Sequence, residues 1–264
     1  MIRTELKKII FSPQYIVCIL VLFALLMIGT LGFWSTFVGD ETISMLAHFM
    51  DAWDVFGNVY LVVPLLVSVP VTFLLHDELN SGYLNFSLPR AGKRRYVFTK
   101  MTAGILSGVL MILMANIIFT VVLILLTPGP VNFYDQQLIF GETSCFFYDL
   151  AKSGKGYVPY IIWCLQTALY GGVFSALAVV ASSVSRNKYV ATVIPFLVFL
   201  CNENIGRYLF FFPSVLRMGF KVIFFPYYHL AWLSGIPESL GIVLIWISIS
   251  SILFTIVMRK RMKG

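Results

Sequence analysis

Apolar residues come in blocks of about 20 positions, parted by short polar stretches. A helix needs about 20 mostly apolar residues to cross a bilayer. Five blocks meet that requirement: Tyr15–Phe37, Val55–Leu75, Val97–Leu126, Tyr157–Val180 and Leu240–Val257. A sixth starts at Tyr189 and is interrupted by Asn202, Glu203 and Arg207. The Val97–Leu126 block is long enough to tilt or to extend beyond the membrane. The first block is too long for the apolar core of a signal peptide, and no small-residue cleavage site follows it. Tyr208–Trp232 is also apolar and aromatic, but it holds Pro213, Arg217, Lys221 and Pro226. If it crossed the membrane, the two chain ends would face opposite sides.

Charge decides that question, because segments on the cytoplasmic side carry the excess of Lys and Arg. Arg3, Lys7 and Lys8 stand at the start; Arg259, Lys260, Arg261 and Lys263 stand at the end. Both ends therefore belong on the cytoplasmic face, and the number of spans is even. Six spans place Arg90, Lys93, Arg94, Arg95, Lys100, Arg186 and Lys188 inside as well. The loop Val38–Asp54 then falls outside, with Asp40, Glu41, Asp51 and Asp54 and no Lys or Arg. Tyr208–Trp232 becomes part of a re-entrant outer segment over 203–236. The expected fold is thus an all-α polytopic membrane protein of six transmembrane helices, forming a single transmembrane domain over 1–264. It is expected to be a multi-pass protein of the plasma (inner) membrane with both termini cytoplasmic.

Composition closes off the alternatives. Of the 264 residues, 59% are hydrophobic and 12% charged, where a soluble domain carries about 25% charged residues. A soluble enzyme and a disordered chain are both excluded. The net charge of +7 follows the membrane topology rather than one soluble face, so no nucleic-acid partner is expected. Cys18, Cys145, Cys164 and Cys201 show no paired spacing of the kind a zinc ribbon or a redox motif needs. No metal site and no catalytic residue are expected. His48, His76 and His229 lie outside the spans, and neither H-E-x-x-H nor a pair of intramembrane Asp occurs. That counts against an intramembrane protease or lipid-modifying enzyme.

Two cytoplasmic elements stand out. Ile2, Leu6, Ile9 and Ile10 recur at helical spacing with Arg3, Lys7 and Lys8 between them. They predict an amphipathic interfacial helix over 1–13, broken from the first span near Pro13. The second element is the cytoplasmic loop 76–96. Asp77 and Glu78 leave the second span, followed by Gly82, then Tyr83, Leu84, Phe86 and Leu88, Pro89, the cluster Lys93, Arg94 and Arg95, and Lys100 at the third span. Topology accounts for the basic cluster, but not for the acid pair or the apolar face, which calls for a protein partner to cover it.

This pattern resembles the type-2 ABC transporter permease family. Its members carry a Glu, three residues, a Gly, an apolar run, a Pro, a basic residue and a Lys entering the third span. Here these are Glu78, Gly82, Leu84 to Leu88, Pro89, Arg94 or Arg95, and Lys100. Arg90 stands where many members have a small hydroxylated residue. The resemblance extends to the span count, the interfacial helix and the aromatic segment before the last span. It implies a permease dimer, of two copies or of paralogues, bound to separate ABC ATPase subunits. The segment from Asp77 to Tyr96 would include a coupling helix docked into the ATPase. The chain lacks G-x-x-x-x-G-K-[ST], so ATP and magnesium would bind in the partner subunit and this chain would carry no cofactor.

The outer elements say less. Glu203 and Arg207 are four apart and would face each other on a helix. They read as an ion pair or as part of an outer gate with Phe211, Phe212, Phe225 and Tyr228, aromatics that also suit an interfacial belt. Gly104 and Gly108 on the third span, with Gly171, Gly172 and Ser175 on the fourth, read as packing faces. Spans with few charges argue against ion transport. They point to an amphipathic or hydrophobic substrate, a peptide, toxin or drug, and the resemblance to the permease family implies that it is exported. Export of a polysaccharide or lipid-linked substrate, and a scaffold embedded in membrane lipids without transport, are the competing readings.

Overall fold

The structure is a computed structural model and describes residues 1–36, 45–53, 59–81, 92–126, 157–209 and 236–261. All secondary structure among them is helical. In chain order the helices are α1 (Ile2–Ile10), α2 (Pro13–Thr36), α3 (Met45–Trp53), α4 (Val59–Asn80), α5 (Lys93–Leu126), α6 (Tyr157–Val184), α7 (Lys188–Leu209) and α8 (Ile236–Arg261). Five are long and apolar enough to cross a membrane: α2, α4, α5, α6 and α8. The chain is a multi-pass helical membrane protein. Helix α7 is continuous, but its apolar part, Lys188–Asn202, is shorter than those five.

The predicted break after the interfacial helix is present, and Ser12 makes it. Its Oγ donates to the Ile9 carbonyl at 2.7 Å and accepts from the Tyr15 N–H at 3.3 Å. Ser12 therefore ends α1 and caps α2, with Pro13 in the first helical position, where no N–H is needed. Helix α4 carries Pro64 and Pro70 in its interior, which neighbouring helices and hydroxyls can accommodate in a membrane.

Helix α6 is the centre of the bundle. Of its apolar window, 72% is buried, against 22% for α8 and 33% for α2. Helices α4, α5, α7 and α8 all pack on it. Small residues let them approach, because packing in lipid relies on close van der Waals fit rather than on a hydrophobic drive. A Cβ on Gly108 would overlap the Gly171 carbonyl oxygen, and one on Gly171 would lie 2.6 Å from the Gly108 carbonyl oxygen. The glycines read from the sequence as packing faces thus press against each other, backbone to backbone. Hydrogen bonds add to the seam: Ser175 Oγ donates to the Gly104 carbonyl, and Asn116 Nδ2 to Thr167 Oγ1 at 2.8 Å. Farther along, the Thr120 and Tyr160 hydroxyls lie 2.6 Å apart.

The outer loop Val38–Asp54 needs correction, since it contains helix α3. Met45, Phe49, Ala52 and Trp53 are buried there, and the Phe49 ring stands 5.2 Å from Tyr160 and 6.0 Å from Phe119. The spacing of 45, 49, 52 and 53 is that of one helical face, hidden in the sequence by the acids around it. His48 is buried with them, and burial pushes its imidazole down to about 4. The loop 76–96 is also shorter than expected, because α4 runs on through Asn80 and α5 begins at Lys93. Likewise α7 reaches Leu209, so 203–209 of the predicted outer segment is helical.

Replacing Gly108 with Val is expected to cost about 2 kcal/mol or more, because two backbones must separate. Gly241→Ala, where a Cβ meets nothing within 4 Å, should leave stability unchanged or slightly raised. Thermal unfolding of the two variants in detergent compares them directly.

Candidate functional site

Charges collect where α1, the end of α4 and the start of α5 converge. Lys100 is buried, with 7% of its surface exposed. Its Nζ donates to Glu5 Oε2 on α1 and to Glu78 Oε2 on α4. Lys8 completes the cluster, with its Nζ 3.2 Å from Glu5 Oε1 and 3.6 Å from Glu78 Oε1. Two carboxylates and two ammonium groups therefore alternate, with no net charge. The Tyr96 ring centroid lies 5.6 Å from Lys100 Nζ. Beneath Glu5 and Lys100 lie apolar side chains, including Ile9, Leu75 and Val179.

A buried ammonium needs this degree of pairing, because removing one partner strands the other charge in a poorly solvated place. Burial pushes the Glu5 carboxyl up, but the Lys100 hydrogen bond and charge, joined by those of Lys8, outweigh it. The net effect holds Glu5 below the ordinary carboxylate value of 4.5.

The other side of α4 is anchored two residues away from Glu78. His76 Nε2 lies 2.9 Å from the Arg186 carbonyl oxygen, in the turn between α6 and α7. A carbonyl can only accept, so Nε2 carries the proton and Nδ1 accepts from Asn80 Nδ2 at 3.0 Å. The end of α4 is thereby tied to α1 and α5 through Glu78, and to the α6–α7 turn through His76. Arg259 of α8 lines one groove with Lys93 and Arg94 of α5. Helix α8 therefore ends at the same end of the bundle where α1 and α5 begin.

Of the coupling residues expected from the sequence, the structure joins Glu78 and Lys100. Asp77, Arg94 and Arg95 are exposed and form no ion pair with another described residue. Gly82, Tyr83, Leu84, Phe86 and Pro89 lie outside the described residues. So do Phe211, Phe212, Phe225 and Tyr228 and the side chains of Glu203 and Arg207, although α7 carries the last two in continuous helix. Glu5 escaped the sequence reading. Its signal was a single acid in an otherwise basic interfacial helix, three residues before Lys8. No group of three side chains able to hold a metal occurs among the described residues. Compared with protein-family models, curated proteins and solved structures, the chain matches none.

Lys100→Met should destabilise the protein by about 3 kcal/mol, since it leaves Glu5 and Glu78 facing each other. Adding Glu5→Gln should recover part of that loss, read by thermal unfolding. Glu5 also makes α1 docking sensitive to acid. Its folded value is lowered, so its contribution is full above 4.5 and fades as the pH falls through the folded value. A distance label between α1 and α5 should report release of α1 only below pH 4.5.

Proposed function

We propose that this chain is the membrane-spanning permease subunit of an ATP-driven exporter of the type-2 ABC kind. The observation that carries the reading is the ion cluster at the ends of α4 and α5. These two helices bracket residues 82–91, the segment that would dock into a separate ATPase. Glu78 of α4 and Glu5 of α1 share Lys100 of α5. A force delivered between the helices would thus reach two spans and the interfacial helix together. His76 would carry the same displacement to the α6–α7 turn. Alternating access requires such a connection, in which a few packed elements move as a unit between two arrangements.

In this reading α7 is a sixth span, both termini face the cytoplasm, and two permease subunits assemble with two ATPases. The substrate is amphipathic or hydrophobic, a peptide, toxin or drug. The long apolar helices support that choice, since their described charges stand near their ends: Asp77 and Glu78 on α4, Lys93 to Lys100 on α5, and Arg259 to Arg261 on α8. ATP and magnesium belong to the partner.

The test is co-purification. The chain, tagged at its C-terminus and expressed with its neighbouring genes, should bring down a Walker-containing subunit whose complex hydrolyses ATP. Purification with no such subunit would return the scaffold reading. Gly82→Pro should leave expression intact and abolish transport while ATP hydrolysis continues. Reporter fusions should place both termini in the cytoplasm; an external C-terminus would restore an odd number of spans.

A further inference from the structure

Helix α8 packs mainly on α6 and meets α5 only lightly. A groove of about 830 Å³ opens between α5 and α8, within the size range of sites that enclose a small ligand. Its lining is ordered along its length. Lys93 and Arg94 from α5 and Arg259 from α8 line one end, and Ile105 and Ile247 line the other. Thr102, Ser251 and Thr255 place hydroxyls between them. Among the described residues, no carboxylate lines the groove.

The dimensions match one leaflet. Helix α5 rises about 16 Å between Arg94 and Ile105, and half of the hydrocarbon core is about 15 Å. The cationic end therefore sits at headgroup level when the apolar end reaches the bilayer midplane. Arg94 and Arg259 are exposed and make no ion pair with another described residue. Guanidinium groups suit phosphate oxygens because they can donate two parallel hydrogen bonds. A second copy of this chain is a poorer occupant, because the charged ends it would bring to this level are basic as well.

We infer that the groove binds an anionic phospholipid from the leaflet facing the basic end of the bundle. Arg94 and Arg259 hold the phosphate, and an acyl chain runs toward Ile105 and Ile247. Basic pockets between helices on the cytoplasmic side are a recurring solution for such headgroups. The inference rests on the orientation proposed above only in naming the cytoplasmic leaflet; transport plays no part in it.

The test is native mass spectrometry of the full chain in mild detergent, titrated with phosphatidylglycerol or with phosphatidylcholine of the same acyl chains. One phosphatidylglycerol per chain should bind in preference to phosphatidylcholine. Arg94→Gln combined with Arg259→Gln should weaken that binding about thirtyfold. Ile105→Trp, which fills the apolar end and keeps the charges, should also weaken it. Glycerol phosphate should not displace the lipid.

Equal binding of the two lipids, or binding unmoved by both variants, overturns the proposal. Displacement by glycerol phosphate would make this a site for a free phosphate instead. Cross-linking of two copies through Phe98→Cys, a groove residue, would assign the groove to a second chain. If the variants fail to purify, the lipid preference and the glycerol phosphate competition of the natural chain decide. Lipid binding is read without any ATPase, so its failure is distinct from failure of the co-purification.

Discussion

Gly108 of α5 and Gly171 of α6 bring two backbones into direct contact, and the bundle is arranged around that contact. Lipid chains are as apolar as leucine, so apolar side chains have no preference for one another over the bilayer. Helices associate where their surfaces fit closely and where polar groups find partners. The α5–α6 seam offers both, with glycines at its closest point and the Ser175, Asn116 and Tyr160 hydrogen bonds spread along it. Helix α6 then presents further small residues, among them Ala168, Ala176 and Ser182, all buried, to the helices around it. The outer helices α2 and α8 keep broad apolar faces exposed, as helices in contact with lipid or with a partner would.

The basic end of the bundle is held by a different force. There the helices leave the apolar layer, and charge pairing replaces close packing. Lys100 lies on the longest of the described helices: the 34 residues of α5 rise about 51 Å. That length places an ammonium among Glu5, Glu78 and the aromatic face of Tyr96. A cluster of this kind is weak evidence for added stability, because desolvation offsets much of the attraction. Its consequence is geometric, since it ties α1 to both α4 and α5. The proposed coupling role and the groove proposed to bind lipid both belong to this end, on opposite sides of the start of α5.

The spans were legible because bilayer thickness imposes one requirement on every crossing helix, a run of about 20 apolar residues. Each long block appears as a helix, with ends shifted by a few residues. The short N-terminal helix and its break near Pro13 were legible for a similar reason, since a proline acts locally, whereas the Ser12 cap was not read. Helix α3 was legible in principle, but the surrounding acids obscured a face of four buried residues. Of the candidate site, Glu78 and Lys100 were found as a pair of types at a spacing, without their contact. Glu5 and His76 were missed because their partners lie far away in sequence, at Lys100 and Arg186.

The sequence by itself therefore determined that the chain is a helical membrane protein, where its long helices run, and that basic residues cluster in the segments that flank them. Solvent transfer is a property of each segment alone, which is why a linear reading reaches that far. Only the tertiary structure decided that α6 is central, that Lys100 is shared by two helices, and that α8 leaves a groove beside α5. Those outcomes depend on which surfaces meet across tens of residues of chain. No local pattern of apolar and polar positions specifies such a meeting, because several helices offer similar faces and packing selects among them.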